Sequence, residues 1–270
     1  MKRILTATFL LVFVSSSVTA QKIAVKCPSA KKEKAGIVAC PDTGCGGSLD
    51  PNLNMKKNIR SDSGTVRAMT IAELQALADP VPDFAIGDTR EKLEALGEGN
   101  KISVVAFALA ARKGGKESCN CGLLEPKDTD NHTVLVDEPT LELTAKATKA
   151  KPPAPGKKKS TPARTARQNT LTLREDDSST AEFTPHVRLD HPKLAGARLQ
   201  ALIDAAPKNT LLVRVTGLQF FDSEHSLGPF HLKRINNSEI HPVMKLEFCP
   251  TGKTCTENSD TNWKDLEAQP

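Results

Sequence analysis

The run Lys101-Ile-Ser-Val-Val-Ala-Phe-Ala-Leu-Ala-Ala111 is apolar on both faces apart from Ser103, and it is the strongest indication of the fold. A run of this length and composition is typical of a strand that is buried on both sides. Shorter runs at residues 133–136 and 180–189 predict a second and a third strand of the same sheet.

The pattern then changes to a helix and returns to strands. The tripeptide Asp190-His-Pro192 predicts the start of a helix that is capped by one of its first two residues and ends before Pro207. Residues 211–221 predict a fourth strand, and the alternation in residues 240–248 predicts a fifth with one face buried. This order predicts a mainly β fold with short helices, a five-stranded OB-like barrel. A small split sandwich of the same elements is the alternative.

Two short helices are predicted ahead of the barrel strands. Thr70-Ile-Ala-Glu73 matches a capping box, in which the Thr70 hydroxyl and the Glu73 carboxylate each satisfy a backbone amide of the first turn. Asp88-Thr-Arg-Glu91 repeats this pattern with Asp88 as the cap, and Gly97 ends the second helix.

Composition divides the chain into segments. Residues 1–20 have a basic start, an apolar run and a small-residue end, which predict a secretory signal peptide. Residues 21–69 lack apolar periodicity and predict an irregular segment pinned by cysteines. Residues 70–250 then form the barrel domain, and residues 251–270 form a tail. No run is long enough for a transmembrane segment, so we expect a secreted or periplasmic protein.

Residues 146–179 are rich in Lys, Pro, Ser and Thr, and we predict a disordered insertion between two strands. Without the eight basic residues of this insertion and the two of the predicted signal peptide, the formal charge falls from +5 to −5. A basic tether of this kind binds a polyanion (nucleic acid, polysaccharide or an anionic lipid surface) or serves as a solvated linker. The predicted ligand-binding residues are Lys146, Lys149, Lys151, Lys157, Lys158, Lys159, Arg164 and Arg167.

Seven cysteines allow three disulfides and leave one thiol. Cys249 and Cys255 flank a turn that brings them together, and Cys40 and Cys45 flank another. An exported chain favours bridges over metal binding.

Cys119 and Cys121 are one residue apart, so a bond between them would be strained. We expect both to bond elsewhere, for example to the N-terminal segment. The alternative to bridges is a zinc site of four thiolates formed by these two cysteines together with Cys40 and Cys45.

All six histidines lie within the predicted barrel domain, and imidazoles with carboxylates at strand ends suit a metal ion that activates water. Against this, His191 is a candidate helix cap, and His241 alternates with the apolar residues of its strand and is expected to point outward. Neither a His-Glu-x-x-His nor a Gly-x-Ser-x-Gly motif occurs, and no cofactor is predicted. The candidate catalytic residues are Asp130, His132, His191, Asp222, His225 and His241.

A set of short motifs resembles an uncharacterised family of exported bacterial proteins that is similar to OB-type small barrels. The motifs are Glu117-Ser-Cys-Asn-Cys121, Asp130-Asn-His132, Val215-Thr-Gly217, Phe221-Asp222 with His225, Glu239-Ile-His-Pro-Val243, and, nearer the N-terminus, Cys40-Pro-Asp-Thr-Gly-Cys-Gly-Gly47, Asp50-Pro-Asn-Leu-Asn54 and Lys57-Asn58. The chain departs from the family at Ser238, where a Trp often precedes the Glu-Ile-His-Pro run. The resemblance implies a barrel and export, and it implies no established activity.

The sequence therefore predicts an exported binding or structural module that recognises a polyanion or another envelope component. The scarcity of aromatic residues, with one Trp and no Tyr, argues against a stacking platform for single-stranded bases. A metal-dependent hydrolase that uses the histidine and aspartate residues is the alternative.

Overall fold

The computed structural model describes residues 26–27, 36–46, 49–61, 63–77, 87–138, 177–223 and 234–269. The predicted signal peptide, residues 146–176 of the predicted insertion and His225 lie outside these ranges. The eight basic residues of the insertion are therefore outside them as well. No helix of the described part is long and apolar enough to cross a membrane.

Five strands close into a barrel, and this confirms the predicted OB-like fold. They follow the order β2-β3-β4-β6-β5, and β5 returns to pair with β2. The β4–β6 pair is parallel, whereas the other pairs of the barrel are antiparallel. The strands of the described residues are β1 (Arg67–Met69), β2 (Lys101–Lys113), β3 (Asn131–Val136), β4 (Ser179–Phe183), β5 (Leu211–Phe221), β6 (Ser238–Phe248) and β7 (Lys264–Asp265).

Four α-helices accompany the strands in the described ranges. Helix α4 connects β4 to β5, as predicted for this fold, and the capping box at Thr70 and Glu73 is present at the start of α2. The helices are α1 (Pro51–Lys57), α2 (Ile71–Gln75), α3 (Glu91–Ala95) and α4 (Gly196–Ala205).

The predicted third strand is too long at its C-terminal end. Its last pair joins Phe183 to Asn131, the first residue of β3, so the ladder has no partner beyond this point. The chain instead turns into a 3-10 helix at Val187–Leu189. The strand begins at Ser179, which is the last residue of the predicted insertion, so the insertion ends before Ser179.

Two of the predicted helix caps are wrong because contacts from distant residues organise the helix starts. Helix α4 begins at Gly196 and not at Asp190 or His191, and Asn131 Oδ1 accepts the Gly196 amide at 2.6 Å. Helix α3 begins at Glu91, so its N-cap position is Arg90 and not the predicted Asp88.

The main apolar cluster fills the barrel interior and leaves the outer face of β3, β4 and β6 to other residues. Leu135, Phe183 and Ile240 contribute to this cluster. His132 and Glu182, which are cross-strand partners, belong to none of the apolar clusters. Alternation along the strands therefore places a set of polar side chains outside the barrel core.

Candidate metal centre

Buried polar side chains gather on this outer face, and we call them the acid–histidine cluster. Strands β3, β4 and β6 supply His132, Glu182, Glu239 and His241, and Asp130 directly precedes β3. The β2–β3 loop, residues 114–130, supplies the remaining two members. The cluster consists of Glu117, Cys119, Asp130, His132, Glu182, Glu239 and His241.

Asp130, Glu182 and His241 form the centre of the cluster. One ligand atom from each lies within 4.8 Å of the others, and all three residues are buried. Within the described part of the chain, Asp130 Oδ1, Glu182 Oε2 and His241 Nε2 form no hydrogen bond. Buried polar atoms are normally satisfied, so each of these three neighbouring residues retains an atom that could bind a cation.

His132 lies at the edge of this centre. Its Nδ1 is 3.6 Å from Glu182 Oε1, its Nε2 is 3.9 Å from Glu117 Oε1, and its side chain is 22% exposed. Gly114 lies against the imidazole, because a Cβ at this position would be 3.0 Å from His132 Nε2. His132 is therefore the most accessible side chain among the potential ligands.

Two other carboxylates of the cluster already have a cationic partner. Lys57 Nζ is 3.1 Å from Glu117 Oε2, and Arg234 Nη1 is 2.6 Å from Glu239 Oε2. In contrast, no ion pair within 4.0 Å joins a lysine or arginine of the described residues to Asp130 or Glu182, although the charge of Lys57 acts on both from farther away. The cluster therefore buries two carboxylates that have no cationic side chain in direct contact.

The pKa values reflect this difference. Burial and the negative charge of Glu117 raise the pKa of Asp130 well above its usual value, and burial with Glu239 and Glu117 does the same for Glu182. Burial raises the pKa of Glu117, but the charge and hydrogen bond of Lys57, together with the charges of His132 and His241, outweigh it and lower this pKa to about 2. Asp130 and Glu182 thus favour the protonated form until a cation replaces the proton.

His241 is held by a second carboxylate. Its Nδ1 lies 3.1 Å from Glu239 Oε1 and 3.2 Å from Glu182 Oε2. Arg234 in turn joins Glu239 to Asp222, whose Oδ2 is 2.8 Å from Arg234 Nη2. A carboxylate that orients an imidazole in this way is the usual support of a metal-ligating histidine.

The structure brings together three of the six predicted catalytic residues, Asp130, His132 and His241. The expectation that His241 points to solvent is wrong: the residue lies outside the main apolar cluster but is fully buried, because other segments cover this face. Asp222 is joined to the cluster member Glu239 through Arg234, and His191 lies in the turn before α4 and is not a member of the cluster.

Glu182 and Glu117 are missing from the sequence-based set. Glu182 stands between the core residues Ala181 and Phe183 in a strand, so alternation predicts an outward side chain and does not indicate its burial. Glu117 belongs to a motif of the resemblance, but no spacing rule links it to Asp130. These two residues join the site through cross-strand register and loop geometry.

The cysteine pairing differs from the predicted one at the N-terminus. Cys40 bonds to Cys121, and Cys45 bonds to Cys27, so the predicted Cys40–Cys45 pair and the four-thiolate zinc site are both wrong. Cys119 is the free thiol, with Sγ 3.3 Å from Glu117 Oε2. The disulfides of the described residues are Cys27–Cys45, Cys40–Cys121 and Cys249–Cys255, the last as its spacing predicts.

Comparison with protein-family models, curated proteins and solved structures finds no match to this chain. The resemblance to the exported family therefore stays a prediction. Three of its motifs nevertheless contribute to the cluster, through Glu117, Asp130 and His241. The function has to be inferred from the site itself.

Proposed function

We propose that this protein is a metal-binding module that holds one divalent cation between Asp130, Glu182 and His241, with His132 as a further ligand at the edge. The observation that carries the proposal is that Asp130, Glu182 and His241 are buried, approach one another with a ligand atom each within 4.8 Å, and each retain a buried side-chain atom without a hydrogen bond. Two carboxylates and one or two imidazoles are a ligand set that first-row divalent metals accept.

The charge of the cluster supports a divalent ion. Glu117 and Glu239 have their own cations, Lys57 and Arg234, whereas Asp130 and Glu182 have none among the described residues. One divalent cation would balance the two remaining carboxylates. Without a bound cation, burial disfavours the ionised forms of Asp130 and Glu182. Buried carboxylates of this kind lower the stability of the fold, so their presence suggests a functional role.

The burial of the site favours retention of the ion over open catalysis. Structural metal sites are closed, whereas catalytic sites keep a position for water or substrate. Asp130 and His241 are fully buried, and Glu182 is nearly so. A metal-dependent hydrolase, the alternative from the sequence, would require this face to open. The face does coincide with the strands on which OB-type barrels bind their ligands.

Metal analysis tests the proposal directly. Protein produced without a histidine tag is dialysed against zinc, freed of unbound metal and analysed by mass spectrometry for metals. We expect about one zinc ion per chain, since the cluster supplies one three-ligand centre with unsatisfied atoms. Glu182→Gln removes a ligand charge and lowers zinc binding, whereas Glu247→Gln, the matched control on β6, leaves it unchanged. Absence of bound zinc, manganese, iron and copper would contradict the proposal.

A second proposal concerns the basic insertion. Eight basic residues without an acidic one enter the chain between β3 and β4, while the remainder of the mature chain is acidic. We propose that this segment binds a polyanion by charge. The intact protein and a variant without residues 146–167 are compared on heparin and on duplex DNA. Equal retention at low salt would contradict this second function.

We also propose that the protein is secreted or periplasmic. The three disulfides of the described residues fit an oxidising compartment, where such bonds form and persist. Fractionation of the producing cell with immunodetection of the chain tests this assignment. Recovery of the full-length chain in the cytosol with free thiols would contradict it.

A further inference from the structure

The acid–histidine cluster lies beneath a segment that we call the cover, residues 36–46 and 49–58. The cover contacts the β2–β3 loop, which carries Glu117, Cys119 and Asp130. The Cys45 amide donates to Ser118 O at 3.0 Å, and Asn58 Nδ2 donates to Cys119 O at 3.2 Å. The cover therefore holds the loop that completes the cluster.

The cover is attached by polar contacts as well as by apolar burial. Its apolar residues Ile37, Leu49 and Leu53 are buried but belong to none of the apolar clusters, including the one that fills the barrel. Lys57, the last residue of α1, contributes the buried ion pair with Glu117. Hydrogen bonds, an ion pair and a covalent link therefore join the cover to the loop that carries Glu117 and Cys119.

One disulfide joins the cover to the loop. Cys40 in the cover bonds to Cys121, two residues after Cys119, across 81 positions of the chain. Among the described residues this is the covalent link between these two parts, since Cys27–Cys45 lies within the N-terminal region. The bond is thus placed to restrain both the cover and the loop that contains Asp130.

We propose that the Cys40–Cys121 disulfide controls release of the metal ion: when it is reduced, the cover loosens and the ion exchanges with solvent. This inference rests on the proposed function. A small dithiol supplies two electrons and two protons, becomes a cyclic disulfide, and leaves Cys40 and Cys121 as thiols. No bond of Asp130, Glu182 or His241 changes in the reaction.

The experiment measures transfer of zinc from the loaded full-length protein to a chromogenic chelator. A phosphine reductant is added or withheld; it replaces the dithiol as the source of two electrons, takes oxygen from water to become the phosphine oxide, and leaves the same two thiols. We expect reduction to accelerate transfer about 10- to 100-fold, the range typical of lost support around metal ligands. The Cys40→Ser, Cys121→Ser double variant is fast without reductant and gains nothing from it. The Cys249→Ser, Cys255→Ser double variant keeps the slow rate and the response to reductant.

A glycine substitution opens the cover with every cysteine intact. At Gly44, where φ is +68°, an added Cβ would lie 2.2 Å from Ser118 O, so Gly44→Ala pushes cover and loop apart. At Gly46, where φ is +118°, the nearest atom of the described residues to an added Cβ is 3.9 Å away, at Cys27 Sγ. Gly44→Ala should release zinc rapidly, whereas Gly46→Ala, which carries backbone strain without this clash, should not.

The outcomes separate this inference from the proposed function. Zinc that is bound and released at the same rate in oxidised, reduced and Gly44→Ala proteins would overturn the control by the disulfide and leave the metal site in place. If no zinc binds, the proposed function fails, and amide hydrogen exchange of residues 114–130 decides the mobility of the cover. Unchanged exchange after reduction would then overturn the inference as well.

Discussion

Replacement of Glu182 by Gln should stabilise the metal-free protein and remove its response to zinc. The two side chains have nearly the same shape, but Gln carries no charge. Burial and the carboxylates of Glu239 and Glu117 raise the pKa of Glu182 in the folded protein. A residue whose removal improves stability while abolishing binding is typical of a functional site.

The gain in stability from Glu182→Gln depends on pH. In the unfolded chain Glu182 titrates near its ordinary pKa, 4.5, whereas the folded protein retains the proton to higher pH. The free energy of unfolding of the wild type therefore falls as pH rises from this value through the raised pKa. One proton corresponds to about 1.4 kcal/mol per pH unit, so the advantage of Glu182→Gln grows by up to about 3 kcal/mol between pH 5 and pH 7.

Zinc should offset most of the stability advantage of Glu182→Gln. At a free zinc concentration of 100 times the dissociation constant, binding stabilises the wild type by about 2.7 kcal/mol. Glu182→Gln loses most of this gain because one ligand oxygen is replaced by an amide nitrogen that donates hydrogen bonds.

Urea denaturation followed by circular dichroism, at pH 5, 6 and 7 with EDTA or with zinc, measures both effects. The reasoning is refuted if Glu182→Gln is less stable than the wild type in EDTA at pH 7, or if the variant retains the full stabilisation by zinc.

Three further substitutions test the fold. Asn131→Ala removes the acceptor of the Gly196 amide and should cost about 1–3 kcal/mol of unfolding free energy. Asn131→Asp keeps an acceptor and should cost less. Equal losses in the two variants would contradict the role of Asn131 at the start of α4. Glu247 accepts from Arg214 at 2.7 Å; burial opposes this pair, but the hydrogen bond lowers the pKa of Glu247. The contribution of this ion pair to the free energy of unfolding is present above about pH 4.5 and is lost as pH falls through the lowered pKa of Glu247. Glu247→Gln should therefore cost about 0.5–1 kcal/mol at pH 7 and less at pH 3. A cost independent of pH would argue against the ion pair. Removal of the Cys249–Cys255 bridge, which closes a short loop with a separation of 6, should cost about 2 kcal/mol in urea denaturation. For the Cys40–Cys121 bridge, with its separation of 81, the expected loss is about 4.5 kcal/mol. Equal losses for the two bridges would contradict the loop-entropy argument.

Patterns that extend over a few residues predicted the barrel well. The long apolar run became β2, and Ile240, Met244, Leu246 and Phe248 of the predicted fifth strand joined the main apolar cluster. The predicted alternation is wrong at Val243, which a register shift in β6 brings into the same cluster, and β6 is buried on both faces. The capping box at Thr70 was equally predictable, because its partners are three residues apart. In these cases the residues that determine the structure are neighbours in the chain.

The start of α4 could not be predicted in the same way. Asp190 and Pro192 are reasonable start signals, but the acceptor of the first amide is Asn131, 65 residues away. The prediction that His241 is exposed was wrong for a similar reason. Strand alternation indicates that it lies off the barrel core, but alternation says nothing about a second layer that buries this face.

Sequence alone therefore determined the strands, their order and the number of possible disulfides, since these follow from local periodicity and composition. Tertiary structure decided which cysteines pair and which acids meet His241. Glu182 lies beside His132 through the register of β3 and β4, and Asp130 approaches both through the loop before β3. These residues are about 50 or more positions apart in the chain, so they come close together only when the barrel has closed.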